Sequence, residues 1–333
     1  MDGFRIPLGL WIDTGVDWIR DNLEWLLDTI AFVARWLVDS LTDVLVITPI
    51  PVVIIIFALI GWLVRSWQLA LGTAISFTLI VGMDQWESSM QTLALVLIAA
   101  LVALVIAIPL GIWSARNDTV RAILKPVLDF MQTMPAFVYL IPAITFFSIG
   151  VVPGVVATVI FAMPPGVRLT ELGIRGVDSE TVEAGHAFGA KPGQILRGIQ
   201  LPLAVPTIMA GVNQVIMLAL SMAVVAGIAG APGLGQEVVQ SISTVDLAQG
   251  VEAGLGVVIL AVFLDRVTAS LGNPGAYRSS LAATISGRRG GTGGGGGGGS
   301  RRGGGGGSRR GSTAIAAEEA ERSAASPHRA PIH

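Results

Sequence analysis

The chain has 333 residues, of which 52% are hydrophobic and 13% charged, with a formal net charge of −2 and no cysteine. Soluble domains carry about a quarter charged residues, so this composition excludes an ordinary globular domain and indicates an integral membrane protein. The lack of cysteine excludes disulfides and thiolate metal sites, and a charge so near zero points to no particular partner.

Residues 1–45 form the first predicted unit, an amphipathic helical segment. Apolar side chains recur there near helical spacing, and acidic side chains interrupt them. The apolar set is Trp18, Leu23, Trp25, Leu26, Ile30, Val33, Trp36 and Leu37. Tryptophan favours membrane interfaces, so we expect this segment to pack on its own transmembrane domain, in preference to a separate regulatory role. The opening residues lack a basic start and a small-residue cleavage site, which predicts no signal peptide.

Residues 46–272 form the predicted transmembrane domain, with a core at about 90–271. Seven apolar segments approach the length that a bilayer span needs. They are residues 46–64, 67–82, 90–113, 134–149, 152–167, 203–229 and 251–271.

Lysine and arginine predict the orientation of these spans, since basic residues concentrate in cytoplasmic loops. They occur after the third, fifth and seventh segments, whereas residues 83–89 and 230–250 contain none. This alternation places residues 168–202 and the carboxy terminus in the cytoplasm, and seven spans would then place the amino-terminal helix outside. We therefore expect a multi-pass protein of the cell (inner) membrane.

Residues 273–333 form the third unit, which is rich in glycine and arginine. Such a stretch buries too little apolar surface to offset its ordering entropy, which predicts a disordered cytoplasmic tail. Its composition is reminiscent of RNA-binding tails, but a solvated tail without nucleic acid is the preferred interpretation. Weak attraction to anionic lipid headgroups is a further possibility.

Residues 183–202, EAGHAFGAKPGQILRGIQLP, form a polar island between two apolar regions. Its charged side chains do not belong in hydrocarbon, so it must fold as a loop outside the bilayer. We predict a short helix over 182–188, broken by Gly189, and a second over 194–200 that would run into Pro202.

The spacing in this loop resembles the signature of ATP-binding-cassette (ABC) importer permeases. That signature is Glu-Ala-Ala, three residues, Gly, nine residues, Ile, one residue, Leu-Pro. The chain matches it at Glu183, Ala184, Gly189, Ile199, Leu201 and Pro202, with Gly185 in place of the second alanine. The remainder of the membrane region resembles the branch that imports glycine betaine, proline betaine, choline and similar osmoprotectants. Those stretches are residues 131–143, 149–155, 164–177 and 201–214.

This resemblance implies an all-α type I importer permease fold, with about seven transmembrane helices, a five-helix core and a cytoplasmic coupling helix. It also implies a homodimer or permease pair, two cytoplasmic ABC ATPase subunits and an extracytoplasmic substrate-binding protein. The coupling loop (residues 168–202) would contact the ATPase. Its expected contact residues are Glu183, Ala184, Gly185, Phe188, Gly189, Ile199, Leu201 and Pro202. Phe188 would be the anchor that the ATPase buries.

Polar and helix-disrupting residues inside the apolar segments are candidates for the translocation path. Buried polar side chains are costly in lipid, so they should face protein or a wet cavity. The candidates are Gln132, Pro135, Tyr139, Asn213, Gln214 and Ser221. Taken singly, each is more simply explained by hydrogen bonding between helices. As a set, on spans that the resemblance places around the translocation path, they are better explained as residues that line it.

The sequence contains no pattern that predicts enzymatic activity. The phosphate-loop pattern Gly-x-x-x-x-Gly-Lys-Ser/Thr does not occur, so we expect ATP and Mg²⁺ to be bound by the partner ATPase and no cofactor by this chain. No histidine has a second ligand at metal spacing, and no catalytic residues are predicted. The Gly233/Gly235 pair more simply serves a turn and close helix packing.

Three alternatives remain. One is an ABC permease for another small solute, such as an amino acid or a choline-like compound. An ion-coupled secondary transporter should show intramembrane acidic residues and an internal repeat, and no acidic residue lies deep in the third to sixth segments. A membrane scaffold or receptor that binds nucleic acid should depend on the Gly/Arg tail.

Overall fold

A computed structural model describes residues 7–272, and every regular element in that range is a helix. The amino-terminal helices are α1 (Leu8–Asn22), α2 (Glu24–Ile47), α3 (Ile50–Val64) and α4 (Trp67–Gly82). The central helices are α5 (Trp86–Arg116), α6 (Asp118–Thr133), α7 (Ala136–Phe147) and α8 (Val151–Arg175). The last are α9 (Ser179–Ala187), α10 (Pro192–Ile195), α11 (Leu201–Ala226), α12 (Leu234–Thr244) and α13 (Leu247–Gly272). The predicted tail, residues 273–333, lies outside the described residues.

The candidate membrane spans comprise single helices and bent pairs. Helices α5, α8 and α13 and the continuous stretch Pro192–Ala229 are each long and apolar enough to cross a bilayer. Two bent pairs, α2–α3 at 108° and α6–α7 at 98°, qualify as broken spans, and α4 is a shorter apolar helix. All seven predicted apolar segments therefore fall on helices of the described range.

The first predicted span, residues 46–64, is wrong as a single straight helix. Helix α2 runs on to Ile47, the chain is extended at Thr48, and α3 begins after Pro49. A residue that precedes proline is disfavoured in the helical region, because the proline ring crowds its backbone. The bend of 108° between α2 and α3 follows from this break.

Helices α5, α8 and α11 form the centre of the molecule and pack closely on one another. Small residues make this approach possible, as is usual between membrane helices. A Cβ atom on Gly166 of α8 would lie 2.9 Å from the Cβ of Ala107, and one on Gly111 of α5 would lie 2.6 Å from that of Thr170. The coupling loop thus connects two closely packed helices, α8 and α11.

The connection from α11 to α12 brings two glycine backbones together. A Cβ atom on Gly227 would lie 2.3 Å from the carbonyl carbon of Gly235, and one on Gly235 would lie 2.6 Å from the carbonyl oxygen of Ala223. Gly233, with φ of 120°, precedes α12 in a conformation that side chains rarely adopt. The turn and close packing predicted for Gly233 and Gly235 are thus present.

Candidate functional site

Helix α9 is the exposed element at the centre of the coupling loop. It begins at Ser179, three residues before the predicted start, because Asp178 caps it: the Asp178 carboxylate accepts the backbone N–H of Glu180 at 3.2 Å. Aspartate is a favoured residue at this position, since its side chain satisfies amides that lack a helical partner. The cap fixes where the coupling loop leaves α8.

Gly189 ends α9 in the left-handed conformation, with φ of 78°. The backbone N–H of Gly189 donates to the carbonyl of His186 at 2.9 Å, and that of Ala190 donates to the carbonyl of Gly185 at 3.1 Å. Glycine is the usual residue at such a helix end, because a Cβ is strained there. No atom lies within 4 Å of a Cβ built on Gly189, so backbone strain alone selects glycine within the isolated chain.

Gly185 places α9 against the second half of the coupling loop. It is buried, and a Cβ there would lie 2.9 Å from Cδ1 of Ile199 and 3.4 Å from Cγ1 of Ile195. Ile195 is itself 2% exposed. Alanine, the usual residue of the family signature, would need only the end of the flexible Ile199 side chain to move.

The opposite side of α9 is uncovered. Phe188 is 93% exposed, and Glu183, Ala184 and Gly189 are exposed as well. Within residues 7–272 no ion pair involves Glu183. An exposed phenylalanine next to small residues is suited to burial by a second protein, since large aromatic side chains carry much of the energy of an interface.

Pro202 does not end the second helix of the coupling loop, contrary to the sequence prediction. Helix continues from Pro192 to Ala229, and residues Leu196–Gln200 form a π-helical turn. The backbone N–H of Leu201 there donates to the carbonyl of Leu196, five residues back. This wider turn relieves the clash between a proline ring and the preceding helical turn that otherwise breaks a helix.

Ile199 and Leu201 are half-buried beside this turn, whereas Pro202 is exposed. The end of the signature thus coincides with the start of α11.

Four of the six candidate path residues are exposed: Gln132, Pro135, Gln214 and Ser221. Gln214 and Ser221 lie seven residues apart, on one face of α11. We call that face the α11 stripe. Its exposed members are Leu203, Pro206, Ala210, Gln214, Met217 and Ser221.

The other two candidates are engaged inside the fold. The hydroxyl of Tyr139, on α7, donates to the carbonyl of Met131, on α6. The Asn213 amide nitrogen donates to Asp265 of α13 at 3.0 Å, and its oxygen accepts from the hydroxyl of Thr268. These contacts support bonding between helices for both residues.

Comparisons with known proteins identify the family. A family model described as binding-protein-dependent transport system inner membrane component matches residues 107–271. The glycine betaine transport system permease protein OpuAB of Bacillus subtilis is 49% identical over 267 residues, covering 80% of this chain and 95% of that protein. The chain belongs to this permease family.

A second relative and a solved structure agree. The permease is 45% identical over 275 residues to the glycine betaine/proline betaine transport system permease protein ProW of Escherichia coli, covering 83% of this chain and 78% of that one. A crystal structure of the MetNI methionine ABC transporter in an inward-facing conformation has a chain that superposes with a TM-score of 0.53 at 22% identity, covering 56% of the permease and 94% of that chain. The fold is that of type I importer permeases, as predicted.

Sequence reasoning missed the charged contacts beside the coupling loop. The Glu171 carboxylate of α8 accepts from the Ser114 hydroxyl at 2.7 Å and pairs with Arg121 Nε at 2.8 Å. Arg175 pairs with Asp118 at 2.7 Å and donates to the Ser114 carbonyl at 3.0 Å. The spacing of Arg168, Glu171 and Arg175 along one face of α8 was an available signal, since residues three and four apart on a helix are neighbours.

Proposed function

We propose that this permease imports glycine betaine, proline betaine or a related quaternary-ammonium osmoprotectant, driven by ATP that separate ATPase subunits hydrolyse. The observation that carries the proposal is 49% identity over 267 residues to a permease named for glycine betaine transport. A second relative, at 45% identity, is named for both glycine betaine and proline betaine. Glycine betaine and proline betaine are neutral overall, which agrees with a path whose candidate side chains are uncharged.

The assembly that we infer has two copies of this permease, two ATPases and one extracytoplasmic binding protein. The α11 stripe supports the pairing of copies: Gln214 and Ser221 are polar, exposed and part of a membrane span. Such side chains need protein or a wet cavity, because polar groups in lipid are costly. Two copies that face each other along the stripe would enclose a path lined by these groups.

Coupling to the ATPase uses the uncovered side of α9. Phe188 would enter a groove on the ATPase, Ala184 would allow close approach, and Glu183 would pair with backbone or basic groups there. Gly185, expected from the sequence to share in this contact, instead faces Ile195 and Ile199 of its own loop. ATP and Mg²⁺ are bound by the ATPase in this scheme. When the ATPases close, α9 would move with them through Phe188. Because α9 packs on Ile195 and Ile199, the second half of the loop would follow and the attached spans would tilt. Alternating access follows from that rigid displacement.

The substitution Gly189→Asp tests this proposal. A side chain at φ of 78° strains the end of α9, and the carboxylate enters the surface that should meet the ATPase. We expect uptake of labelled glycine betaine by the complete assembly in vesicles to fall about tenfold or more, as for loss of an interface anchor. The permease should remain in the membrane, and ATP hydrolysis should no longer respond to the solute.

The matched control is Gly193→Asp in the same loop. Gly193 is exposed, has open space around its Cα and has no positive φ, so the same charge is introduced without strain. This variant should transport normally. Normal uptake of glycine betaine by a well-expressed Gly189→Asp variant would contradict the coupling role, and failure of the wild-type assembly to take up any quaternary-ammonium solute would contradict the substrate class.

A further inference from the structure

Three ion pairs join α6 to α8, and we call them the charged ladder. They pair Asp118 with Arg175, Arg121 with Glu171, and Asp129 with Arg168. Positions rise along α6 as they fall along α8, so the two helices run antiparallel with their charges in register.

The central pair of the charged ladder contains the most buried of its three carboxylates. The Glu171 side chain is 16% exposed, and three groups surround its carboxylate: the Ser114 hydroxyl, Arg121 Nε at 2.8 Å and Arg175 Nε at 3.6 Å. Charged partners at a shielded site interact more strongly than in water, because screening is weaker there. The Arg168–Asp129 pair is more exposed, at 38% and 51%, and such pairs stabilise little.

The position of the charged ladder connects two parts of the proposed mechanism. Arg175 is the last residue of α8, and Asp178 caps α9 directly after it. On the other side, α6 turns through 98° into α7, and the Tyr139 hydroxyl bonds back across that turn to Met131. A chain of contacts therefore runs from the root of α9 through Glu171 to α6 and α7, which flank the exposed Gln132 and Pro135.

We propose that Glu171, with Arg121 and Arg175, is a positioning cluster that transmits movement of the coupling loop to α6 and α7. The inference rests on the proposed function, since it presumes that an ATPase moves α9. Because of the cluster, α6 and the end of α8 move together as one rigid body. Without the cluster, the coupling loop still binds the ATPase, but movement of the loop displaces α6 and α7 less.

The experiment compares Glu171→Gln and Arg121→Gln with the wild type in the complete assembly in vesicles. The measured quantity is ATP hydrolysed per molecule of glycine betaine transported. We expect this ratio to rise about two- to thirtyfold, the range for substitutions within a coupling network. The amount of ATPase that co-purifies should stay at the wild-type level, which separates this effect from loss of the α9 contact.

The matched control is Lys125→Gln, which removes a charge from the same helix. Lys125 is exposed and forms no ion pair with any residue of the described range, so the ratio should not change. Arg121 is 49% exposed, so Arg121→Gln should fold even if Glu171→Gln does not. An unchanged ratio in assembled Arg121→Gln, or a loss of thermal stability with no change in the ratio, would overturn the inference. Loss of ATPase from the wild-type assembly would instead count against the proposed function.

Discussion

Phe188 shows what an isolated chain reveals about an interface. A phenylalanine that is 93% exposed buries almost no surface within its own fold, so its side chain contributes little to the stability of this chain. Its backbone, by contrast, is fixed: its N–H donates to the carbonyl of Ala184 at 3.1 Å. A fixed position with a free side chain is the arrangement expected of a preformed contact residue.

We therefore predict that Phe188→Ala separates binding from folding. Thermal stability of the permease in detergent should change by no more than about 0.5 kcal/mol, as for other exposed sites. Affinity for the ATPase should fall about thirtyfold, equivalent to about 2 kcal/mol, as for an interface hot spot. Titration of the ATPase against the immobilised permease measures this.

The control is Phe32→Ala on α2, which removes a phenylalanine that is 71% exposed and distant in sequence from the coupling loop. Its ATPase affinity should match the wild type. Equal ATPase affinity for Phe188→Ala and wild type would refute the anchor role.

The residues that we propose for coupling could be identified from the sequence because their spacing is local. The order Glu183, Gly189 and Ile199 locates the coupling loop without any knowledge of the fold. The pairing of Glu171 with Arg121 could not be predicted in this way, because 50 positions separate the two residues. Only the antiparallel packing of α6 on α8 brings Glu171 Oε1 within 2.8 Å of Arg121 Nε. The contacts of Asn213 with α13 were hidden for the same reason.

At the level of the helices, the boundaries predicted from local sequence rules differ from those in the structure. The rule that proline ends a helix holds at Pro49 and fails at Pro202. At Pro49 the preceding residue is extended, whereas at Pro202 a π-helical turn absorbs the ring and the helix continues. Both positions hold a proline, but the packing of the surrounding helices determines whether the helix ends there or continues.

The contact between α11 and α12 gives a prediction at this scale. Gly235→Ala should destabilise the permease by about 1–3 kcal/mol, because the new methyl would overlap backbone atoms that cannot rotate away. The fraction of monodisperse protein after heating in detergent measures this loss.

Gly254→Ala on α13 is the matched control. A Cβ atom there meets nothing within 4 Å, and alanine favours a helix over glycine by about 1 kcal/mol, so this variant should be at least as stable as the wild type. Equal stability of Gly235→Ala and Gly254→Ala would show that the close approach of α12 to α11 is not rigid.

For the whole molecule, composition and hydropathy predict an integral membrane protein, and the resemblance carried by the loop motif implies the type I importer fold. The predictions of a membrane protein, of the permease family and of the type I importer fold are confirmed by relatives and by a solved structure. The number of membrane spans was harder to predict, because the pairs α2–α3 and α6–α7 bend by 108° and 98°. A hydropathy pattern does not reveal such bends.

Orientation yields a prediction for the intact membrane. The chain lacks cysteine, so one introduced thiol is the sole target of a maleimide. Phe188→Cys should react only from the cytoplasmic side, and Val245→Cys, directly after α12 and 88% exposed as the native residue, only from outside. Membrane-impermeant maleimide applied to right-side-out and inverted vesicles distinguishes the two sides. Labelling of Phe188→Cys from outside would reverse the orientation and remove the coupling role.

The unbroken helix from Pro192 to Ala229 has a mechanical consequence. Its 38 residues span about 57 Å at 1.5 Å per residue, nearly twice the thickness of the bilayer's hydrocarbon layer. If the helix moves as one body, an inclination of about 10° at one end displaces the other end sideways by about 10 Å. Under the proposed function, a small displacement of the coupling loop would in this way become a larger displacement on the far side of the bilayer.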